Sequence, residues 1–410
     1  MRDVQALAGE LVEQFRDGLA LVQFDVARAP GVAVLLLEGG IGFFLAEEIR
    51  TDENVPAFDN AAMDGYAVRA EDCASTPAAL RVVGEIAAGQ STFPALRSGE
   101  AIGIATGAPI PPGCSAVVQQ EWTTRPAPEH VVVDRPVRTG HNIRPAGADL
   151  KAGSVVLTHG VRIRPQEIGL LVSIGRLFIA VYRKPTVAIL ATGSELVEPD
   201  KPLTPGTVRN SNAHVLAALV RQTGAEPRLC GIARDNRDDL RAALGRALTS
   251  DLVVTSGGIS VGKFDLVREC LRDLGVTDLF WKVNIKPGMP IYCGRRGTTP
   301  VFALPGNPVS SMVTFLQFVL PAIERMSGGP GTRALCLRAT LTEPLATIDG
   351  KRHYIRGIVE SKGVEFIVRS SGPQVSNILT SLTRANCLII LPEDKPDVQA
   401  GESVEIELLP

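Results

Sequence analysis

Residues 255–265 read TSGGISVGKFD, and Gly257 through Lys263 fit the spacing G-x-x-x-x-G-K. That spacing brings backbone N–H groups and a lysine to phosphate oxygens, and a Ser or Thr hydroxyl should follow to meet a metal ion. Phe264 stands at the hydroxyl position and no second acidic strand motif accompanies the loop. A nucleotide-hydrolysing P-loop is therefore rejected, leaving a double-glycine turn and Asp265.

Other polar residues fall in a pattern. Glu195 follows the apolar run TVAIL, Asp235 follows RLCGIA, Gly257, Gly258 and Asp265 follow DLVVTS, and Pro305 and Asn307 follow TPVFAL. Each residue alone reads as ordinary loop polarity. As a set, three carboxylates and two glycine turns converge on one mouth if the runs are parallel strands.

In ALPGNPVSS (303–311), Asn307 suits a helix cap, Pro308 the first helical position and Gly306 a tight turn. A helix start facing the crevice favours an anion, though an ordinary strand-to-helix turn needs the same residues. FWKVNIKPGMP (280–290) carries Lys282 and Lys286 four apart, on one face of an extended stretch. Two ammonium groups there suit an oxyanion, or protect a solvated edge strand. PAFDNAAMDGYAV (56–68) brackets two alanines and a methionine with Asp59 and Asp64, residue types of a metal- or hydroxyl-binding loop or of a plain hairpin. RPAGADLKAG adds Asp149 in a similar turn.

The elements that hold these residues alternate over 181–328. Strand runs at Thr186–Leu190, Arg228–Ala233, Asp251–Ser256 and Thr299–Gly306 interleave with helical patterns at Ser211–Gly224, Arg237–Leu248, Asp265–Gly275 and Pro308–Met326. Such alternation predicts right-handed crossovers and a doubly wound, mostly parallel sheet. Residues 79–160 and 333–410 are short Val/Ile-rich runs broken by Pro and Gly, and predict small β-domains. LRSGEAIGI, LKAGSVVLT and VQAGESVEI echo one another as a recurring turn-then-strand device. Near the N-terminus ELVEQFRDGLALV predicts helix, and Leu36–Ile49 has helical spacing late on, weakened by Gly39-Gly40.

The totals bound the rest. The chain has 410 residues, 45% hydrophobic and 21% charged, enough for two to four domains with buried cores. With 42 basic against 44 acidic side chains the formal net charge is −2, so neither nucleic acid nor a membrane surface is expected as partner. Seven scattered cysteines without C-x-x-C argue against a disulfide framework or zinc site, and the five histidines form no paired set. The absence of an apolar signal core or a spanning-length apolar run predicts a cytoplasmic protein.

Eight stretches together resemble the molybdopterin molybdenumtransferase family, which includes bacterial MoeA and the C-terminal part of gephyrin. They are FDNAAMDGYAV (58–68), ATGAPIPPG (105–113), NIRPAGADL (142–150), ATGSEL (191–196), GIARDN (231–236), TSGGISVGKFD (255–265), KVNIKPGMP (282–290) and ALPGNPVSS (303–311), in the family's order. The resemblance implies a multidomain fold: a discontinuous N-terminal linker and helical domain (1–54 and 148–180), a β-rich cleft domain (55–147), an α/β molybdopterin-binding domain (181–328) and a C-terminal β-barrel (331–410). It further implies a homodimer with a cleft shared between subunits.

The implied reaction is insertion of molybdate into adenylylated molybdopterin with release of AMP, assisted by Mg2+. Carried over position by position, Glu195, Asp235 and Asp265 fall on the acids tied to metal and catalysis. Asp59 joins them as a catalytic position, with Lys282 and Lys286 as the basic pair. Asp64, Thr106, Asp149, Thr192, Gly257, Gly258, Pro305, Gly306, Asn307, Pro308 and Ser310 fall on substrate-binding positions. The chemistry is coherent: carboxylates alone would repel these anions, so Mg2+ between them is the sensible arrangement, and the lysines offset negative charge. No nucleophilic side chain is needed, because an oxygen of molybdate or of a metal-bound water attacks the pyrophosphate.

The chain departs from the family pattern at Lys263, where an acid is common, and at Phe264-Asp265-Leu266, Met289 and Ala61. Two other readings share the α/β domain: the preceding adenylyltransferase, which is normally a single compact domain, and a gephyrin-like scaffold. The two β-regions, the FDNAAMDGY loop and the full set of acids and lysines favour the transferase.

Overall fold

The computed structural model describes residues 31–90, 93–258, 264–331, 335–346, 349–395 and 397–409, without the side chains of Phe264 and Asp265. The helix expected at residues 10–22 lies outside the described residues. The chain divides into two compact units: a β unit of Leu36–Ile41 and Glu47–Ile179, and a second unit of the residues up to Leu35, Gly42–Ala46 and Ala180 onward.

The β unit is built on six strands: β1 (Gly65–Val68), β2 (Ala78–Ile86), β3 (Glu100–Ile104), β4 (Ala116–Gln119), β5 (Thr123–Ala127) and β6 (His130–Val133). They form one sheet in the order β4-β1-β3-β2-β6-β5, with β2 and β3 parallel and the remaining pairs antiparallel. The period-2 alternation of strands sorts neighbouring residues into two cores. Tyr66, Val68, Ala101, Val118 and Val131 pack in one, and Ala67, Ile86, Ile102 and Val117 in the other. Helix α1 (Pro165–Ser173) follows, started by Pro165 and by Glu167, which accepts from the Arg164 N–H at 2.9 Å.

Leu36–Ile49 is a correction. It contains no α-helix: Val32–Leu36 is strand, Leu37–Gly40 a short 3-10 turn, and the stretch ends in a two-residue strand at Ile49–Arg50. Gly40 is needed for close approach, since a Cβ there would stand 2.5 Å from Ile179 Cδ1. Leu37 is buried and donates its N–H to Leu177 O at 3.0 Å.

The three echoing segments are one device. In each, an N–H returns to the carbonyl three residues earlier: Glu100 to Arg97, Ser154 to Lys151, Glu402 to Gln399. A glycine with positive φ precedes the donor (Gly99, Gly153, Gly401), and a strand follows.

The second unit holds the expected sheet. Strands β7 (Thr186–Thr192), β8 (Glu226–Ala233), β9 (Leu252–Ser256), β10 (Thr277–Trp281), β12 (Tyr292–Arg296) and β13 (Thr299–Leu304) order as β8-β7-β9-β13-β12-β10. The first four are parallel, while β12 and β10 are antiparallel additions at one edge. Helices α2 (Ser211–Gln222), α3 (Arg237–Ala247) and α4 (Phe264–Asp273) connect them. Val187, Ile189 and Ala191 join the core that includes α2, whereas Ala188 and Leu190 join that of α3 and α4. Burial on both faces is why β7 and β9 read as unbroken apolar runs.

Pro308–Met326 is helical throughout but not uniform. It runs as α5 (Pro308–Thr314), a π segment Phe315–Val319 and α6 (Leu320–Met326). Pro321 has no N–H to return to the preceding turn, and the wider winding lies just before it.

The C-terminal strands are β14 (Cys336–Leu341), β15 (Arg352–Lys362), β16 (Glu365–Ser370), β17 (Cys387–Leu391) and β18 (Ser403–Leu408). They run β15-β16-β14-β18-β17, and pairing of β17 with β15 closes the ring into a barrel. A two-residue strand from the α/β part, β11 (Ile285–Lys286), pairs parallel with β15 outside the ring, placing Lys286 opposite His353. Among the described residues no helix is long and apolar enough to cross a membrane.

Candidate functional site

The parallel register fixes where the polar residues of the α/β part emerge. Thr192 pairs with Ala233, Ala191 with Ser256, and Ser256 with Leu304. All four strands therefore end at one edge, and Glu195, Asp235, Gly257-Gly258 and Pro305-Gly306-Asn307 follow them there.

Those loops are stitched together. The Gly193 N–H donates to Ala233 O and the Gly257 N–H to Leu304 O, each at 3.1 Å. The Ser194 N–H donates to Asp235 Oδ2 at 3.2 Å, and the Asp235 N–H donates to Ser194 Oγ at 3.1 Å. Asn212, near the start of α2, donates its amide to Ser256 Oγ at 2.9 Å and to Gly306 O at 2.8 Å. Gly257 has φ +95°, and a Cβ there would stand 2.2 Å from Thr192 O; one on Gly258 would stand 2.6 Å from Thr192 Oγ1. The double glycine is thus a packing requirement of the turn.

Glu195 is exposed and folds back over Gly193, its oxygens 2.6 and 2.8 Å from where a Cβ would be. Among the described residues its carboxylate takes no hydrogen bond; only its main-chain carbonyl does, from the Val208 N–H at 2.9 Å. Asp235 is half-buried. Asp265 is the second residue of α4, but its side chain lies outside the described residues, as do residues 259–263 with Lys263. Among the described residues no three His, Cys, Asp or Glu converge closely enough to hold a metal ion. Glu195 and Asp235 supply hard oxygen donors on neighbouring loops, a donor type suited to Mg2+, which takes one or two carboxylates and completes its shell with water and phosphate.

The two lysines are held separately. Lys282 has φ +67° and its ammonium lies over the Trp281 ring, 4.3 Å from the centroid. The stretch between them is bent, with the Ile285 N–H donating to Val283 O at 2.9 Å. Exposure nevertheless alternates: Lys282, Asn284 and Lys286 are exposed, Val283 and Ile285 buried. The Lys286 ammonium donates to Asp349 Oδ2 at 3.0 Å. Asp349 also faces His353 Nε2 at 2.6 Å and Lys351 Nζ at 3.4 Å. The His353 hydrogen bond, and after it that of Lys286, holds the Asp349 carboxyl well below its ordinary range.

The 303–311 turn places Asn307 at the N-cap of α5 and Pro308 at its first position, as the residue types suggest. Asn307 caps α5 through its carbonyl, which accepts the Ser311 N–H at 2.9 Å. Its side chain makes no cap bond and instead donates to Ser376 Oγ at 3.0 Å. Pro305 is buried, Gly306 is exposed and Pro308 opens the helix. Ser310 is only 5% exposed, and Thr192 is buried with no partner for its hydroxyl among the described residues.

In the β unit the three quoted stretches meet around the short strand Asn60–Ala61. It pairs with Ile143–Arg144, and the Ala61 N–H and carbonyl bond to Ala108 and Gly107. Asp59 accepts the Ala146 N–H at 2.7 Å, and the Asp149 N–H donates to Val55 O at 2.9 Å. Asp64 Oδ1 accepts both the N–H (2.6 Å) and the hydroxyl (2.8 Å) of Thr106. These two bonds, the amide first, lower the Asp64 carboxyl below its ordinary value. Asp59, Asp64, Thr106 and Asp149 are all exposed, and Phe58 and Met63 beside them expose 51% and 40%. At the departures, Ala61 is fully buried and Met289 is 40% exposed.

Sequence reasoning missed Ser194, Asn212, Asp349, His353 and Ser376. Ser194 lies inside a quoted motif; Asn212, Asp349 and Ser376 stand far along the chain from the site residues they hold, and His353 enters only through its neighbour Asp349.

The chain is similar to known proteins over most of its length. Residues 12–175 match the MoeA N-terminal region (domain I and II), 188–325 the probable molybdopterin binding domain, and 338–409 the MoeA C-terminal region (domain IV). Molybdopterin molybdenumtransferase 2 of Mycobacterium tuberculosis is 37% identical over 377 residues, covering 89% of this chain and 92% of that protein. The molybdopterin molybdenumtransferase of Bacillus subtilis is 36% identical over 381 residues, covering 91% and 89%. The crystal structure of the molybdopterin biosynthesis moeA protein from Pyrococcus horikoshii OT3 superposes with a TM-score of 0.81 at 32% identity, over 98% of this chain and 99% of that one.

Proposed function

From the premise that this chain belongs to the molybdopterin molybdenumtransferase (MoeA) family, we propose how its residues serve the reaction. The chain is a transferase of molybdenum cofactor biosynthesis that inserts molybdate. In its finer form the substrate is adenylylated molybdopterin, AMP is released, the cation is Mg2+, the working unit is a cytoplasmic homodimer, and the cleft is shared between subunits. The four-domain division given above goes with this reading.

The observation that carries the proposal is the loop edge of the parallel sheet. Glu195, Asp235 and the double glycine share that edge, and Ser194 and Asp235 lock two of the loops together. Glu195, Asp235 and Asp265 would hold Mg2+, which when bound neutralises pyrophosphate charge. Gly257 and Gly258 let the backbone approach the phosphate side of the substrate, and Thr192 and Pro305 to Pro308 with Ser310 shape its surroundings. Lys282 and Lys286 offset the charge of molybdate and of the departing AMP. Asp59, Thr106 and Asp149 act from the β unit of the partner copy, and Asp64 is a further substrate-binding position. The transferred oxygen comes from molybdate or solvent, so the side chains position groups and screen charge without becoming nucleophiles.

The test mixes the protein with adenylylated molybdopterin, molybdate and Mg2+ and measures AMP. Molybdate-dependent release is expected, and Asp265→Asn or Lys286→Ala is expected to abolish it in a folded protein. No molybdate-dependent release would sink the reading; near-normal rates in the variants would refute the site.

A further inference from the structure

We propose that Asp349 is a positioning residue for Lys286: it fixes the ammonium of that lysine from the barrel side of the β11–β15 pair. The inference deepens the reading above, in which Lys286 acts on an anionic substrate.

A lysine side chain is a flexible four-carbon stem, and ordering it costs about 2 kcal/mol of rotamer freedom. A charge that must be in place when the substrate arrives therefore benefits from an anchor. Lys286 has one. It is paired with His353 in the parallel register, so both side chains start from the same level of the two strands. Both end on the Asp349 carboxylate, Lys286 on Oδ2 at 3.0 Å and His353 on Oδ1 at 2.6 Å.

The anchor is itself held. His353 is 9% exposed, so its ring is fixed by packing. The turn carrying Asp349 is strapped to the lysine strand by its backbone. Asn284 donates its side-chain amide to Gly350 O at 3.0 Å, and the Arg352 N–H donates to Asn284 O at 3.1 Å. Asp349 thus orients the amine without cancelling the basic character of the place. Lys286 and Lys351 together carry two positive charges against one carboxylate, which leaves the cluster attractive to an oxyanion even with His353 neutral.

The test uses the full-length protein and two readouts. Trace acetylation of lysines, quantified by peptide mass spectrometry, reports the Lys286 amine directly and requires no activity. In Asp349→Asn, which keeps the side-chain shape, acetylation of Lys286 is expected to rise about threefold while that of Lys282 stays constant. Asp349→Glu, which retains the charge, is expected to fall between the two. Molybdate-dependent AMP release is expected to drop roughly tenfold in kcat in Asp349→Asn and to recover in part in Asp349→Glu. Unchanged Lys286 acetylation in Asp349→Asn overturns the proposal, and so does a loss of release that the glutamate does not restore. Absence of release by the wild type would refute the functional reading instead, and the acetylation result would still decide whether Asp349 holds Lys286.

Discussion

Ser194 and Asp235 hold each other across two strand ends, each backbone N–H donating to the other's side-chain oxygen at 3.2 and 3.1 Å. The exchange links the loop after β7 to the loop after β8, so the Glu195 loop and the Asp235 carboxylate are set by one lock. Ser194→Ala removes one of the two bonds. AMP release is expected to fall about fivefold, while stability changes by about 1 kcal/mol or less, as for a single partly exposed hydrogen bond. Steady-state kinetics beside a denaturant titration checks this; a stability loss without a rate loss would make the lock purely structural.

Gly257 tests the double-glycine turn that follows β9. A methyl group there meets Thr192 O at 2.2 Å with φ at +95°, so both sterics and backbone oppose it. Gly231 offers the contrast: its φ is +76°, but nothing lies within 4 Å of an added Cβ. Gly257→Ala is expected to cost about 2–4 kcal/mol and Gly231→Ala about 1–2 kcal/mol. Urea unfolding of both variants measures the difference, and equal costs would contradict the close packing of the two loops.

The Asp64–Thr106 pair makes a pH prediction. The carboxyl is lowered in the folded state, so its contribution is present above the ordinary carboxylate range and is lost as pH falls through the folded value. Thr106→Val deletes the hydroxyl donor and keeps the amide. Asp64 is then expected to titrate at higher pH, nearer its ordinary value, with a correspondingly smaller gain in stability above it. Carboxyl carbon NMR reads the titration directly; an unchanged midpoint would show that the hydroxyl contributes nothing.

Thiol reactivity follows burial. Burial, with Asp72 adding to it, raises the Cys73 thiol to about 11; burial raises Cys387 to about 12, offset slightly by the Val359 main chain, and it alone pushes Cys293 higher still. Cys336 is exposed. Iodoacetamide at neutral pH is expected to label Cys336 first and to leave Cys73, Cys293 and Cys387 unmodified until the protein unfolds. Mass spectrometry of the native digest checks the order.

The parallel sheet was legible because its strands are buried on both faces and its helices end in glycine or open on caps such as Asn236, whose side chain accepts the Asp239 N–H at 2.9 Å. The positions of Glu195, Asp235 and the glycines followed from that topology alone. In Leu36–Ile49 the helical spacing competes with Gly39-Gly40, and the spacing does not reveal that the backbone at Gly40 lies close to Ile179. Asn307 takes the N-cap place its type suggests, but its side-chain amide is given to Ser376, a partner no local pattern points to. Contacts of this kind join residues far apart in the chain, and no local pattern announces them: 69 positions for Asn307–Ser376, 63 for Lys286–Asp349.

The strand Ile285–Lys286 has a consequence for how such a chain can be cut and recombined. It is made before the barrel in the chain yet completes its hydrogen bonds only on β15. A version ending near residue 330 would retain the lysine and lose its pairing strand, its counter-charge and the strap through Asn284. Swapping barrels between relatives would likewise import a foreign neighbour for a basic residue encoded far upstream. The C-terminal strands are therefore not an interchangeable appendage. They and the KPG turn have to be inherited together.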